Sequence, residues 1–318
     1  MADSDCSLRL GTRALPGTDL EVSRIGLGGA KLGGVFNDLN GGKAVELVHA
    51  AIDAGITFLD TSNLYAQGES EEILGKAIVD RREHVTIASK AGYVLTGRKK
   101  LASRVKGALR PVVQQLHIRR TWVPGSVRGT TLTQDFASQS LIASAEQSLR
   151  RLGIDHLDVL FLHSPSSDIL QAGTFVDAAE RLLRSGKIRA FGVSCEHLSD
   201  APVALSWPGV SCVQLPLSVL DELGSRGAVS AARSAGAGVV GRQCFASGIL
   251  LRPDLETLDG EVAAQAAAQR AHRAGIELGR FALEFSVRDL EADVTLVGLS
   301  SREQLSQLVR WVNDIAEP

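Results

Sequence analysis

The sequence predicts an α/β protein: one (β/α)8 barrel over residues 1–318, with an N-terminal β-hairpin and a long insertion after the third strand. Three observations lead there. From Ile25 onward short apolar runs alternate with helical patterns, eight such runs occur, each followed by a helical segment, and no shift in composition marks a domain boundary. Runs such as Leu157-Asp158-Val159-Leu160-Phe161-Leu162 are those of strands covered on both faces, and eight βα units in 318 residues favour a barrel over a doubly wound sheet.

The elements follow in order. Leu8-Arg9-Leu10 and Leu20-Glu21-Val22 alternate apolar and polar residues about the turn signal Pro16-Gly17-Thr18-Asp19, which predicts a hairpin able to plug one end of a barrel. Ile25-Gly26-Leu27-Gly28-Gly29-Ala30 is a short strand running into glycines that allow close backbone approach; it lacks the G-x-G-x-x-G that opens a dinucleotide-binding helix. The remaining strands are expected at 56–60, 84–89, 157–162, 189–193, 210–215, 238–243 and 293–297. Helices are expected at about 42–54, 69–80, 138–152, 174–186, 197–206, 225–235, 260–274, 278–289 and 302–313. The insertion, about Gly92 to Thr133, carries Arg98, Lys99, Lys100, Arg104, Lys106, Arg110, Arg119, Arg120 and Arg128 with no Asp or Glu. Two readings stay open for it: a loop that recognises an anionic or polyhydroxylated ligand, and a solvated basic excursion.

Composition narrows the class. A net charge of −2, with 44% hydrophobic and 22% charged residues, gives no electrostatic case for nucleic acid or membrane, and no run reaches the length of a membrane span. Cys6, Cys195, Cys212 and Cys244 are far apart, without a C-x-x-C pair or a histidine at ligand spacing, so neither a disulfide framework nor a metal site is expected. The acidic start Met1-Ala2-Asp3-Ser4-Asp5 lacks a signal-peptide pattern. A reducing cytoplasm fits best, and the sequence leaves the oligomeric state open.

In a barrel the chemistry sits at the carboxyl ends of the strands. The run Thr57-Phe58-Leu59-Asp60-Thr61-Ser62-Asn63-Leu64-Tyr65 ends a strand in an acid and delivers a tyrosine five residues later. Further strand ends offer Lys90, His163, Ser194 and Gln214. Tyrosine ordinarily holds its proton to about pH 10. An adjacent Lys90 ammonium would favour the phenolate, Asp60 would hold that ammonium charged, and His163 would orient a carbonyl oxygen. The set suits carbonyl reduction, with Tyr65 as general acid and hydride from a nicotinamide.

The ordered set Asp60, Tyr65, Lys90 and His163, with Phe58-Leu59-Asp60-Thr61-Ser62, Leu162-His163-Ser164-Pro165, Gly192-Val193-Ser194 and Val213-Gln214, resembles the aldo-keto reductase superfamily along almost the whole chain. The resemblance implies a TIM barrel binding extended NADP(H) without a Rossmann domain. It implies Tyr65 as proton donor, Lys90 and Asp60 as its tuning pair, His163 as substrate orienter, and Ser194 and Gln214 as partners of the nicotinamide carboxamide. It also places Gly29 and Ala30 near the cofactor, a pyrophosphate loop at Arg242, Phe245, Ser247, Gly248 and Leu250, and an adenosine segment at Gly298, Ser300, Ser301, Arg302 and Gln304. Departures fall on the cofactor side: Cys195 where many members have Asn, Leu217 in place of a stacking aromatic, Ser300 in place of an arginine, and Gln307 and Leu308 in place of a Glu-Asn pair. Arg302 could supply the charge for a 2′-phosphate, so NADP(H) is preferred and NAD(H) possible.

With three Trp, two Tyr and nine Phe, no aromatic cage is expected. Lys31, Phe36, Tyr93 and Trp122 are the candidate substrate-pocket residues, and a small polar carbonyl or alcohol, such as a sugar, is the expected ligand. Two other readings accompany the oxidoreductase: a barrel using the same groups for a non-redox step, and a nucleotide-sensing partner protein with incidental turnover.

Overall fold

The computed structural model describes residues 7–34, 39, 41–95, 132–252 and 262–316. Twelve strands are present among them: β1 (Thr12–Ala14), β2 (Glu21–Ser23), β3 (Ile25–Gly28), β4 (Phe58–Asp60), β5 (Thr86–Ala91), β6 (Tyr93–Leu95), β7 (Leu132–Gln134), β8 (Leu157–His163), β9 (Ile188–Ser194), β10 (Val210–Pro216), β11 (Gly238–Arg242) and β12 (Val294–Val297). The eight strands β3, β4, β5, β8, β9, β10, β11 and β12 close a parallel barrel in sequence order. The α-helices are α1 (Gly41–Asp53), α2 (Glu69–Ala77), α3 (Ser138–Leu152), α4 (Ser167–Ala172), α5 (Val176–Arg184), α6 (Ala201–Leu205), α7 (Glu222–Ser234), α8 (Val262–Ala274), α9 (Leu278–Glu284) and α10 (Arg302–Ala316).

The expected barrel strands all form, within two residues of their expected ends. The hairpin forms too, but its first strand starts at Thr12, because Leu8 instead donates its backbone N–H to Ala54 and packs beside the core. Gly17 turns the hairpin at φ +74°, and a Cβ there would lie 2.6 Å from the Ser211 carbonyl oxygen, so only glycine fits. Leu15, Leu20 and Val22 join Phe58, Val159, Phe161, Val240 and Val294 in the barrel interior, which makes the hairpin a plug. The expected helix at 278–289 is α9 continued by a π turn over Phe285–Asp289. Sequence reading missed α4 and the antiparallel ribbon of β6 with β7. That ribbon brackets the insertion, whose residues 96–131, with Trp122 and the basic cluster, lie outside the described residues, as does Phe36.

The plugged end is held by two buried carboxylates at strand starts. Asp158 accepts the Ile87 backbone N–H at 2.7 Å and pairs with Arg82 at 3.0 Å and Arg189 at 3.1 Å. Asp293 accepts the Val239 N–H at 2.7 Å and pairs with Arg233 at 2.8 Å and Arg13 at 3.4 Å. Each ties one barrel strand to the next through a charged hydrogen bond.

Candidate active site

At the opposite end, β4 and β5 deliver Asp60 and Lys90 side by side. Both are buried, at 3% and 1% exposure, and burial of an ammonium requires a full set of partners. Lys90 has one: its Nζ donates to Asp60 Oδ1 at 2.7 Å and Oδ2 at 2.6 Å, to the Thr61 carbonyl at 3.0 Å and to Tyr65 OH at 3.1 Å. Burial opposes its charge, yet Asp60 and then Tyr65 outweigh that opposition, and its pKa is raised above the ordinary lysine value. The ammonium is therefore retained at neutral pH with one contact on the phenol.

Tyr65 is delivered on a strained turn. Ala66 (φ 50°), Gln67 (φ 63°) and Gly68 (φ 93°) are three successive left-handed residues, a conformation costing about 1–2 kcal/mol for each residue that carries a Cβ. Strain of this kind persists where the surroundings over-determine it. Further left-handed residues, Gln243 and then Ala246, Ser247 and Gly248, follow β11 at the same end of the barrel.

His163, the last residue of β8, stands edge-on to Tyr65, with ring centroids 6.0 Å apart, and edge-on to Tyr93 at 5.0 Å. Burial, then the positive charges of Lys90 and Arg242, push its pKa down to about 3, so the ring is neutral in neutral solution. Ser62 Oγ lies 3.1 Å from its Nδ1. That hydroxyl accepts the Leu64 N–H at 3.1 Å, and its next acceptor, Asn63 Oδ1, is farther away at 3.4 Å. Donation from Ser62 to Nδ1 leaves the hydrogen on Nε2, where it can meet a substrate oxygen. Ser62 was not picked out from the sequence as a site residue; its place in Asp60-Thr61-Ser62 was visible, but the direction of its hydroxyl was not. Gln134 was missed altogether: from β7 its Nε2 donates to Tyr93 OH at 3.0 Å and to the Ser164 carbonyl at 2.8 Å, fixing the tyrosine that flanks His163.

Ser194 and Gln214, the residues expected at the nicotinamide carboxamide, lie side by side. Ser194 Oγ donates to Gln214 Oε1 at 2.9 Å, and Gln214 Nε2 donates to Asp60 Oδ1 at 2.8 Å, which joins the two to the buried Asp60–Lys90 pair. Gly29 packs behind this group: its carbonyl accepts from Ser70 at 2.9 Å, and a Cβ would lie 2.8 Å from the Asp60 carbonyl oxygen. Ala30 and Lys31 are exposed on the following turn, with the Lys31 stem passing 3.7 Å from a Cβ built on Gly298. This brings a candidate substrate residue against a candidate cofactor residue.

Arg242 donates to the Cys195 carbonyl at 2.7 Å and lies 3.8 Å from Glu196. Phe245 packs edge-on against Trp311 at 6.2 Å, Ser247 is exposed, and Leu250 is buried. Leu217, expected beside the nicotinamide, is fully enclosed in the core next to Gly241, and Leu308 is likewise a core residue. Cys195 is buried, and burial pushes its thiol pKa up to about 12. Ser300, Arg302 and Gln304 are exposed at the start of α10, where Ser301 Oγ accepts the Gln304 N–H at 3.3 Å and Gln304 Oε1 accepts the Ser300 N–H at 2.7 Å. Among the described residues no group of three or more His, Cys, Asp or Glu is placed to hold a metal ion, and no helix is long and apolar enough to cross a membrane.

A closed parallel barrel with a buried Asp–Lys pair bonded to a tyrosine at the carboxyl ends of its strands defines a group of oxidoreductases, and residues 24–314 match the aldo/keto reductase family, to which this chain belongs. It is 26% identical to pyridoxal 4-dehydrogenase of Microbacterium luteolum, over 94% of this chain and 92% of that protein. Against L-galactose dehydrogenase of Arabidopsis thaliana the identity is 27%, over 95% and 88% of the two chains. Its fold matches the holo form of an aldo-keto reductase from Bacillus halodurans with a TM-score of 0.76 at 23% identity, over 97% and 96% of the chains.

Proposed function

We propose that this protein is an NAD(P)(H)-dependent oxidoreductase interconverting a polar aldehyde or ketone, such as a sugar or other hydroxylated carbonyl, with its alcohol. The observation that carries the reading is the Lys90 ammonium, saturated by Asp60 and the Thr61 carbonyl except for its 3.1 Å contact with Tyr65 OH. A bound nicotinamide dinucleotide would supply the hydride in reduction and would take it up in oxidation. In reduction Tyr65 gives its proton to the oxygen as hydride arrives, Lys90 stabilises the phenolate left behind, and solvent returns the proton. Asp60 keeps Lys90 charged and in place, while the neutral His163 donates from Nε2 to the same oxygen and aligns it. In oxidation the steps reverse, with the phenolate as base.

The residues present fit a nicotinamide. Ser194 and Gln214 together offer donor and acceptor for a carboxamide beside Asp60, and Gly29 packs closely behind the Asp60 backbone. Arg242, Phe245, Ser247, Gly248 and Leu250 form the proposed pyrophosphate segment, with Gly298, Ser300, Ser301, Arg302 and Gln304 at the adenosine end. NADP(H) is the proposed preference, resting on Arg302, with NAD(H) also accepted. The names of the two dehydrogenase relatives, which refer to pyridoxal and L-galactose, support a hydroxylated substrate. Free buried thiols at Cys195, Cys212 and Cys244 support a reducing, cytoplasmic setting.

The test uses purified protein with NAD(+) or NADP(+) and a panel of aldoses and pyridoxal, and with the reduced nucleotides and small aldehydes, followed at the reduced-nicotinamide absorbance band. Turnover that disappears in Tyr65→Phe is expected. No turnover anywhere in the panel, with no quenching of tryptophan fluorescence by NADPH or NADH, would overturn the reading.

A further inference from the structure

The Tyr65 turn is closed by its own backbone: Tyr65 N–H donates to the Ser62 carbonyl at 3.1 Å, Gln67 N–H to the Leu64 carbonyl at 3.1 Å, and Glu69 N–H to the Tyr65 carbonyl across the three left-handed residues. It is also braced from outside. What lies against Gly68 is Arg151, near the end of α3: a Cβ on Gly68 would meet Arg151 Nε at 2.7 Å and Cδ at 2.8 Å. The same side chain donates from Nη1 to Glu71 Oε2 at 2.7 Å and from Nη2 to Gln147 at 3.4 Å. Glu71 sits in the first turn of α2, directly after the strained residues, and its side chain is fully buried while that of Arg151 is 25% exposed. Its other oxygen accepts the Ser89 hydroxyl at 2.7 Å, and Ser89 immediately precedes Lys90 on β5. The backbones of α2 and α3 touch as well, since a Cβ on Gly75 would lie 2.6 Å from the Leu152 carbonyl oxygen.

One buried carboxylate thus joins three things: the segment carrying Tyr65, the strand carrying Lys90, and an arginine braced on the turn between them. We propose that Arg151 is a positioning residue for Tyr65, acting through Glu71 and Gly68 to hold the phenol against Lys90. The guanidinium is needed for its shape as well as its charge, because its Nη1 engages Glu71 while its Nε edge lies along Gly68. Removing it leaves Glu71 buried without a countercharge and frees the turn to relax, lengthening the Tyr65–Lys90 contact.

The chain has two tyrosines, Tyr65 and Tyr93, so protein labelled with 3-fluorotyrosine gives two fluorine NMR resonances, assigned by Tyr93→Phe. In Arg151→Met the Tyr65 resonance should shift or broaden while that of Tyr93 stays in place, and Arg151→Lys should restore part of the original position. With NADPH and DL-glyceraldehyde as probes, kcat should fall about ten- to a hundredfold with KM little changed, as expected for a misplaced proton donor. This turnover arm rests on the proposed oxidoreductase reading, whereas the fluorine arm does not: a selective Tyr65 response in a protein that turns nothing over supports the positioning role and counts against that reading. A Tyr65 resonance unmoved in Arg151→Met, or both resonances moving equally with a lowered Tm, overturns the proposal. If Arg151→Met does not fold, Ser89→Ala removes the bond on the β5 side; a smaller selective Tyr65 shift supports the role, and an unmoved resonance overturns it.

Discussion

The two ends of the barrel use the same residue types for opposite purposes. At the plugged end Asp158 and Asp293 are buried, and their partners are backbone N–H groups and partly exposed arginines. Those networks end in solvent-facing guanidinium groups that cannot lose their protons. At the open end Asp60 is equally buried, but its partner is a lysine at 1% exposure that is itself bonded to a phenol. A buried ion pair alone therefore says little about chemistry; what distinguishes the open end is that its network finishes on a group able to give up a proton.

The two ends separate most clearly under paired substitutions. Tyr65→Phe should lower kcat by roughly 10²–10⁴-fold while leaving Tm and nucleotide binding, read by tryptophan quenching, nearly unchanged. Asp293→Ala should do the reverse: it leaves the buried Val239 N–H without its acceptor and costs about 1–3 kcal/mol in urea unfolding, with kcat preserved in the folded protein. If Asp293→Ala removes activity without loss of stability, the division between the ends is wrong. Lys90→Met belongs to both sides. It should abolish turnover and also destabilise by a few kcal/mol, because Asp60 is left buried with only Gln214.

His163 sets the open end apart through pH as well. Its pKa of about 3, against an unfolded value near 6.5, means that the unfolded chain takes up a proton which the native ring refuses. The sign follows directly: this contribution to stability is fully present above about pH 6.5 and is lost as pH falls toward 3. A His163→Gln variant should show a flatter acid limb of Tm against pH. The kcat profile should carry no break near pH 6.5 from this ring, and a histidine NMR resonance of His163 titrating there would contradict the environment described.

Most of the barrel was legible because strands buried on both faces leave continuous apolar runs, and Leu157 to Leu162 can hardly be anything else. The Asp60, Tyr65, Lys90 and His163 set was legible because each residue terminates or closely follows such a run. Residues whose role depends on side-chain direction were not. Ser62 is one residue past Thr61, yet its bond to His163 depends on where its hydroxyl points; Gln134 reaches Tyr93 only through a short ribbon with no strong alternation. Leu217 and Leu308 sit where the resemblance expected cofactor contact, and the fold turns both into the core, where apolar side chains gain most from burial. The left-handed Ala66 and Gln67 were also invisible, because neither residue type advertises positive φ.

The smallest effect concerns the choice of dinucleotide at the start of α10. Arg302 is the cation on which the NADP(H) preference rests, but its neighbour Glu303 is also exposed, and a hydrogen bond from Ser301 holds its carboxyl below the usual glutamate pKa, keeping it charged. The two charges share one helix N-terminus, whose partial positive charge favours a phosphate while Glu303 repels it. The Ser300 N–H, a natural phosphate donor, is already taken by Gln304. Discrimination should therefore be shallow and open to adjustment. Arg302→Ala should weaken NADPH relative to NADH by about two- to fivefold, and Glu303→Gln should strengthen it by a similar factor, both read as Kd from tryptophan quenching and both reduced by added salt. A NADPH/NADH ratio unmoved by either change would place the 2′-phosphate away from this helix and remove Arg302 from the cofactor site.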